Sequence, residues 1–406
     1  MVGRIWLGVI VVGGIVAWAP QAAQATPPGQ TVVRIADRLE DKQIKVGVSA
    51  GIWPQEALYT GAIAAGMVDA YIWTGDAGYL ASAELAGGYI LTAPQWNFLG
   101  DEALALVGLS RTAADPGNNI WRTALETCYR FISQDVGGTA RYLAGYGGTE
   151  PSTAVFYIAH HVVAAYYVNA ADKAMWRQGL LDWLAKVDDA SSNYPVMAMG
   201  VATWALASTG PLDNTLIDPS GVGAAYWNLK RVSDLPALLV GHQIPVGQPQ
   251  AGAFYWRFDH TNSAGQSPFA GGYSEDAIYA AKGLAAAARR HPGLDLDGAL
   301  SRARAALING VAASGAVLEH LSIWGYSYYT YGGEMLQALA MLGGPGDLNL
   351  DNFVDFFDVA VLADCMRDPA CVSCPPCMVA DIDGDGNVDF RDLRLLTAWW
   401  LEEFGG

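Results

Sequence analysis

Between residues 54 and 342, apolar positions recur at helical spacing in blocks rich in Ala, Leu and Gly, and continuous strand-like alternation is scarce. The spacing predicts helices over 56–73, 78–90, 101–111, 121–132, 153–168, 175–187, 196–207, 276–290 and 297–312. Short polar turns separate them: Thr74-Gly75-Asp76, Ala114-Asp115-Pro116-Gly117, Asn169-Ala170-Ala171-Asp172, Ser208-Thr209-Gly210-Pro211 and His291-Pro292-Gly293. Gly75 to Asp115 is about 40 residues, Asp172 to Gly210 about 38, and Gly210 to Pro292 about 82, room for two units. A two-helix unit of that length cannot bury its apolar face alone, so neighbouring hairpins stack. About six units fit before Gly343. Without polar capping repeats, closure into an α/α toroid is expected over an open solenoid. The expected class is all-α: a toroid over residues 26–344 and a small tail domain over 345–406.

In a toroid the turns within hairpins lie at one end and the connections between hairpins at the other. The connections hold most of the unusual residues: Trp53, Glu56, Trp96, Asn97, Asp101, Glu102, Tyr142, Tyr146, Glu150, Asn193, Tyr194, Trp256, Glu275, Asp276 and Tyr326 to Tyr329. Loops on one face of a rigid scaffold are where binding sites gather. Aromatic rings stack on the C–H faces of sugars while carboxylates take their hydroxyls, and paired carboxyls across a glycosidic bond serve as acid and base. Glu56, Asp101, Glu275 and Asp276 are therefore the candidate catalytic residues, and Trp53, Trp96 and Trp256 the candidate sugar platforms. The competing reading is that acids at helix starts cap exposed N–H groups. His160-His161 falls inside a helical block, where a satisfied core histidine is expected, and His242, His260 and His320 show no metal spacing. No nucleophile elbow, P-loop or dinucleotide fingerprint is present in the context it requires.

The segments Leu58-Tyr59-Thr60-Gly61-Ala62, Asp69-Ala70-Tyr71 with Thr74-Gly75-Asp76, and Asn97-Phe98-x-Gly100-Asp101-Glu102-Ala103 carry a resemblance to α/α toroids. These are the terpenoid-cyclase and prenyltransferase-like toroids and the six-hairpin glycan-active folds. The D-x-D-D motif of squalene-type cyclases is absent, Asp188-Asp189 being only a pair, and Cys128 is the one cysteine of this region. The resemblance thus implies a toroid but disfavours isoprenoid chemistry.

Charge and the termini change the picture. The net charge of −17 disfavours nucleic acid as a partner. Residues 347–406 hold 13 acids and 3 bases, so −10 of that charge sits in the tail. At the other end Arg4, the apolar run 5–18, Pro20 and the A-x-A site Ala23-Gln24-Ala25 read as a signal peptide over 1–25, with the mature chain starting near Thr26. An uncleaved anchor is the alternative, but the run is short for a spanning helix. An exported chain, extracellular or at the cell surface and with no stable membrane span after cleavage, follows. Cys365, Cys371, Cys374 and Cys377 could ligate zinc or iron–sulfur; in an exported protein one or two disulfides are expected instead.

The acidic tail contains two loops of one design. Asp347-x-Asn349-x-Asp351-Asn352-Phe353-x-Asp355-x-x-Asp358 places oxygen donors at positions 1, 3, 5, 9 and 12, with the Phe353 carbonyl at position 7. Asp381-x-Asp383-x-Asp385-Gly386-Asn387-x-Asp389-x-x-Asp392 repeats it about 34 residues later, with the Asn387 carbonyl at position 7. Helices are expected after each, over 359–366 and 393–404. Two Ca2+ ions are the implied cofactors. A duplicated loop-helix unit with Asp at position 12 resembles a type I dockerin domain, which implies a cohesin-like or cell-surface partner and company with polysaccharide-degrading domains. Phe356-Phe357 and Phe390-Arg391 depart from the Ser-Thr pair of many dockerins at positions 10 and 11. The expected function is a secreted toroid that binds or processes polysaccharide, with hydrolase or lyase chemistry if it is catalytic. The alternatives are a non-catalytic extracellular scaffold and, more weakly, a terpene cyclase-like enzyme.

Overall fold

The computed structural model describes residues 28–92, 98–261, 271–291, 293–321, 325–343 and 356–367, with 388–391, 393–394 and 396–397 of the tail. The elements are α1 (Pro28–Lys42), α2 (Thr60–Thr74), α3 (Ala77–Ile90), α4 (Gly100–Thr112), α5 (Ile120–Gln134), α6 (Gly138–Ala144), α7 (Pro151–Tyr167), α8 (Lys173–Leu184), α9 (Pro195–Thr209), α10 (Leu235–Gly241), α11 (Ser274–Arg290), α12 (Asp297–Asn309), α13 (Tyr329–Met341) and α14 (Phe356–Arg367). Among the described residues there are isolated β-bridges but no strand. The chain is all-α, as its periodicity predicts.

Six helices form a closed inner ring. α2 packs on α4, α4 on α7, α7 on α9, α9 on α11, α11 on α13, and α13 returns to α2. The outer layer alternates with them: α3 lies on α2 and α4, α5 on α4, α8 on α7 and α9, α10 on α9 and α11, and α12 on α11 and α13. α1 packs on both α13 and α2, so the first helix supplies the outer partner of the last inner one. The sequence shows why the layers differ. α5 buries Trp121, Ala124, Leu125, Cys128, Tyr129 and Ile132, one stripe at helical spacing. α9 is buried at every residue from Pro195 to Ala207, and α11 at every residue from Asp276 to Ala288. A helix apolar on all sides must be enclosed on all sides.

Glycine lets the inner helices touch backbone to backbone. A Cβ on Gly66 of α2 would stand 2.1 Å from the Gly333 carbonyl oxygen of α13, and one on Gly283 of α11 would stand 2.5 Å from the Gly200 oxygen of α9. The short turns also follow the sequence. α2 ends on Gly75 at φ 72°, and Asp76 then caps α3 by accepting the Gly78 N–H at 2.8 Å. α7 and α9 each begin with a proline at the first helical position.

Four toroid helices lie outside the sequence expectation: α1, the short α6 and α10, and α13, whose start reads as part of a tyrosine-rich connection. In the tail, α14 covers the helix expected after the first loop, and residues 390–391, 393–394 and 396–397 are helical after the second. No helix among the described residues is long and apolar enough to cross a membrane. The signal segment 1–25 and most of both calcium loops lie outside the described residues.

Candidate active site at the ring mouth

Every inner helix starts at the same end of the ring, so six N-termini surround one opening. Exposed N–H groups there need acceptors, and acids from neighbouring helices supply them. Glu56, just ahead of α2, accepts the Tyr329 N–H on Oε1 (2.7 Å), and the Thr330 N–H (2.7 Å) and hydroxyl (2.6 Å) on Oε2. It caps α13 and ties the start of the ring to its end. Asp101 of α4 accepts the Ala62 N–H of α2 at 3.2 Å. Asp276 of α11 accepts the Met197 N–H of α9 at 2.9 Å. Glu150 accepts the Ser152 and Thr153 N–H groups of its own helix and the Asn193 N–H beside α9, each at 2.9 Å. Three of the four catalytic candidates are therefore helix caps, and Glu56 has both oxygens engaged in this work.

Glu275, the fourth, is placed differently. It sits in the first turn of α11, partly buried. Opposite it comes Glu319, in the connection before α13: the Glu319 carbonyl accepts the Ser274 N–H at 2.9 Å, and Tyr273 and His320 form an antiparallel bridge. Burial and then the Glu319 charge push the Glu275 carboxyl up to about 7. Deeper in the ring Glu334 of α13 is 2% exposed; Oε1 accepts the Tyr279 hydroxyl at 3.0 Å and Oε2 has no hydrogen-bond partner. Burial first, then the charge of Glu275, hold Glu334 well above the usual carboxylate range. Asp101 has one unpartnered oxygen, Oδ1, and burial followed by the Glu102 charge pushes it up to about 7.

Tyrosines ring these carboxyls. Tyr59, before α2, is 45% exposed; Tyr157 of α7, Tyr194 before α9 and Tyr331 of α13 are partly buried. Burial raises all four phenols. Glu275 and Glu334 add to it at Tyr59 and Tyr331, Asp101 at Tyr157, and Glu275 at Tyr194. All six inner helices thus contribute to one polar, aromatic mouth. Its floor is a second rung between α11 and α13, where buried Lys282 donates to Gln337 Oε1 at 2.6 Å and lies 3.9 Å from the Trp204 ring centroid. Burial lowers the Lys282 ammonium to about 8.

Two of the tryptophans expected to meet sugar are packed inside the protein. Trp53 is fully buried and donates its indole N–H to the Leu39 carbonyl at 2.7 Å, so it packs α1 against the ring. Trp256 is 3% exposed, against Tyr273. Trp96 lies outside the described residues. His161 is a core residue between the Tyr129 and Tyr142 hydroxyls, at 3.0 and 3.3 Å, and burial holds it neutral, with its pKa lowered to about 3. His160 Nδ1 bonds the Phe156 carbonyl at 2.7 Å. Glu319, Glu334, Tyr157 and Tyr331 do not stand out in the sequence. The connection holding Glu319 shows no helical period, and Glu334 follows the Gly332-Gly333 pair, which reads as a turn.

A groove of about 410 Å³ lies outside the ring beside α5 and α6, lined by Phe131, Arg141, Tyr142 and Tyr146 among others. No group of three or more His, Cys, Asp or Glu side chains that could hold a metal occurs among the described residues. Of the tail ligands, Asp358 is buried in the first turn of α14, and Asp389 accepts the Arg391 N–H at 2.7 Å. Asp347, Asn349, Asp351, Phe353, Asp355, Asp381, Asp383, Asp385, Asn387 and Asp392 lie outside the described residues, as do Cys371, Cys374 and Cys377. No disulfide joins described residues; Cys365 is buried on α14.

No protein-family model matches the chain, and no curated protein does. Solved structures do. One, described as "a possible member of GH105 family" from Salmonella enterica subsp. enterica serovar Paratyphi A, aligns at TM-score 0.52 and 9% identity, over 83% of this chain and 98% of that one. A glycosyl hydrolase family 88 structure from Bacteroides vulgatus aligns at TM-score 0.42 and 11% identity, over 77% and 99%. The first likeness shows the α/α toroid fold.

Proposed function

We propose that this chain is an exported glycan-active hydrolase whose active centre is the mouth of the toroid. One observation carries the reading: the pairing of Tyr273-Ser274 with Glu319-His320 puts Glu275 and Glu319 on neighbouring segments, with the Glu319 charge acting on Glu275, at the end where all six inner helices open, inside a ring of tyrosines. In the reaction that fits, Glu275, protonated near neutrality, gives its proton to the leaving glycosidic oxygen as the C–O bond breaks. Glu319 takes a proton from the water that adds to the anomeric carbon. Tyr59, Tyr157, Tyr194 and Tyr331 offer ring faces to the sugar and hydroxyls to its edges. Asp101 and Asp276 hold the helix starts in place. The likeness to the structure described as a possible GH105 member supports the glycan assignment. A mouth with this many ionisable groups does not suit an isoprenoid, and a scaffold has no use for buried carboxyls left unpaired.

The tail is assigned by its ligand pattern. Residues 345–406 form a dockerin-like domain that takes two Ca2+ ions through the twelve positions named above and attaches the enzyme to a cohesin-like or cell-surface partner. Calcium there would hold the crowded carboxylates together and so order the two short helices. Residues 1–25 direct export. The test is release of reducing sugar from a polysaccharide panel by the purified chain. Glu275→Gln and Glu319→Gln should each lower the rate at least about a hundredfold with folding unchanged. Full activity in both variants would move the centre elsewhere.

A further inference from the structure

The chain that leads into α13 presents tyrosines that the chemistry at Glu275 and Glu319 leaves unused. From Gly325 to Tyr331 it reads Gly-Tyr-Ser-Tyr-Tyr-Thr-Tyr, with no charged side chain. Tyr326 is 74% exposed and Tyr328 42%, whereas Ser327 and Tyr329 are partly buried. An extended segment gives that alternation, because successive side chains leave on opposite sides, and Tyr328 has extended dihedrals (φ −95°, ψ 150°). The Tyr326 and Tyr328 ring centroids lie 6.3 Å apart, and those of Tyr328 and Tyr331 5.2 Å. Tyr331 belongs to the mouth, so the three rings form one row that grows more exposed with distance from it. The backbone holds the row in place. The Tyr326 carbonyl accepts the Glu319 N–H at 2.8 Å, and the Tyr329 N–H is capped by Glu56 at 2.7 Å. Tyr329 itself is pinned by the Arg38 guanidinium, 4.9 Å from its ring centroid. A single exposed aromatic is ordinary, but adjacent exposed rings on a fixed backbone, continuous with a cleft, mark a binding surface.

We propose that Tyr326 and Tyr328 are outer sugar-binding subsites continuing from Tyr331, so that the substrate is a glycan chain running out of the mouth over the start of α13 rather than a disaccharide enclosed in it, an inference that rests on the glycan reading above. Phenol rings offer flat faces to the C–H faces of sugars and hydroxyls to their edges. Only a chain long enough to reach these rings can use them, and binding energy from such remote residues raises turnover of the long substrate alone.

The experiment compares the full-length protein with its Tyr326→Ala, Tyr328→Ala, double-alanine and Tyr326→Phe variants. Retardation is measured in gels containing xylan, mannan, β-glucan, chitosan or polygalacturonate, and kcat/KM on oligosaccharides of up to six residues from the polymer that the parent cleaves best. Each alanine variant should lose about three- to tenfold in kcat/KM on the hexasaccharide, the scale of one ring contact, and less than about twofold on the shortest oligosaccharide that the parent cleaves. Tyr326→Phe should stay close to the parent on both, and all variants should keep the parent's urea midpoint. Equal losses at both lengths, or none on the hexasaccharide, would overturn the outer subsites and leave the glycan reading standing. Where nothing is cleaved, retardation decides: a retardation of the parent that the double variant loses supports the subsites and removes the hydrolase, and no retardation overturns both. A parent that self-associates in sedimentation, with the double variant monomeric, would overturn the proposal by making the row an interface between copies.

Discussion

Glu56 separates the structural from the catalytic use of mouth carboxyls. Its two oxygens accept two backbone N–H groups and one hydroxyl at 2.6–2.7 Å, and the side chain is 6% exposed. Hydrogen bonds to a charged acceptor contribute roughly 1.5–3 kcal/mol each, and each buried donor left bare costs about 1–3 kcal/mol. Glu56→Ala strands the Tyr329 and Thr330 N–H groups at the seam where α13 meets α2. Allowing for partial access of water, the expected loss is about 3–5 kcal/mol. Glu56→Gln keeps one acceptor oxygen and turns a donor toward the other N–H, so it should lose about 2–4 kcal/mol. Thr330→Val removes one bond and should lose about 1 kcal/mol. Urea unfolding followed by tryptophan fluorescence reads the toroid, and the same samples below the transition give the turnover rate. Glu56→Gln should keep its rate within a few-fold of the parent. A loss under about 1 kcal/mol for Glu56→Ala would refute the cap. So would a stable Glu56→Gln protein whose rate falls about a thousandfold, because that would return Glu56 to the chemistry.

Asp101 and Glu275 are both pushed up to about 7 in the folded protein, above their unfolded values. Their contribution to stability is therefore complete below about pH 4 and is lost as pH rises through 7. The toroid should weaken from pH 5 to 8. Each pH step between the unfolded and folded titration points is worth about 1.4 kcal/mol, so between pH 5 and 7 Asp101 contributes at most about 3 kcal/mol to that loss. Asp101→Asn, which can still accept the Ala62 N–H, should flatten that slope in pH-resolved unfolding; an unchanged slope would contradict it. Gly66→Ala forces a methyl against the Gly333 carbonyl and should cost about 1–3 kcal/mol, whereas Gly88→Ala on exposed α3, with nothing within 4 Å, should be neutral or stabilising. In the tail, calorimetric titration of the full chain should count two Ca2+ ions, and Asp381→Ala should leave one.

The helices most legible in the sequence are those whose burial pattern is unambiguous. α5 has a clean stripe, and α9 and α11 are long apolar runs bounded by Pro195 or acids at one end and by Gly210 or His291 at the other. α13 is hidden because Gly332-Gly333 reads as a turn, while in the ring Gly333 admits the Ile63 backbone, to which its Cβ would approach within 2.4 Å. That requirement belongs to a contact about 270 residues away in the chain and has no local signature. The site divides in the same manner. Acids at helix starts are visible in the sequence, but whether each is a cap or an acid catalyst depends on which N–H it meets: Ala62 for Asp101, Met197 for Asp276, Thr330 for Glu56. Glu319 and Glu334 become candidates only once the ring closes and places them beside Glu275.

The most direct measurement is a crystal structure of Glu275→Gln soaked with an oligosaccharide that the parent cleaves. Sugar rings are expected among Tyr59, Tyr157, Tyr194 and Tyr331, with a glycosidic oxygen within hydrogen-bond distance of the residue 275 amide and a water held by Glu319. Sugar bound instead in the outer groove beside Phe131 and Tyr146, with an empty mouth, would contradict the mouth assignment.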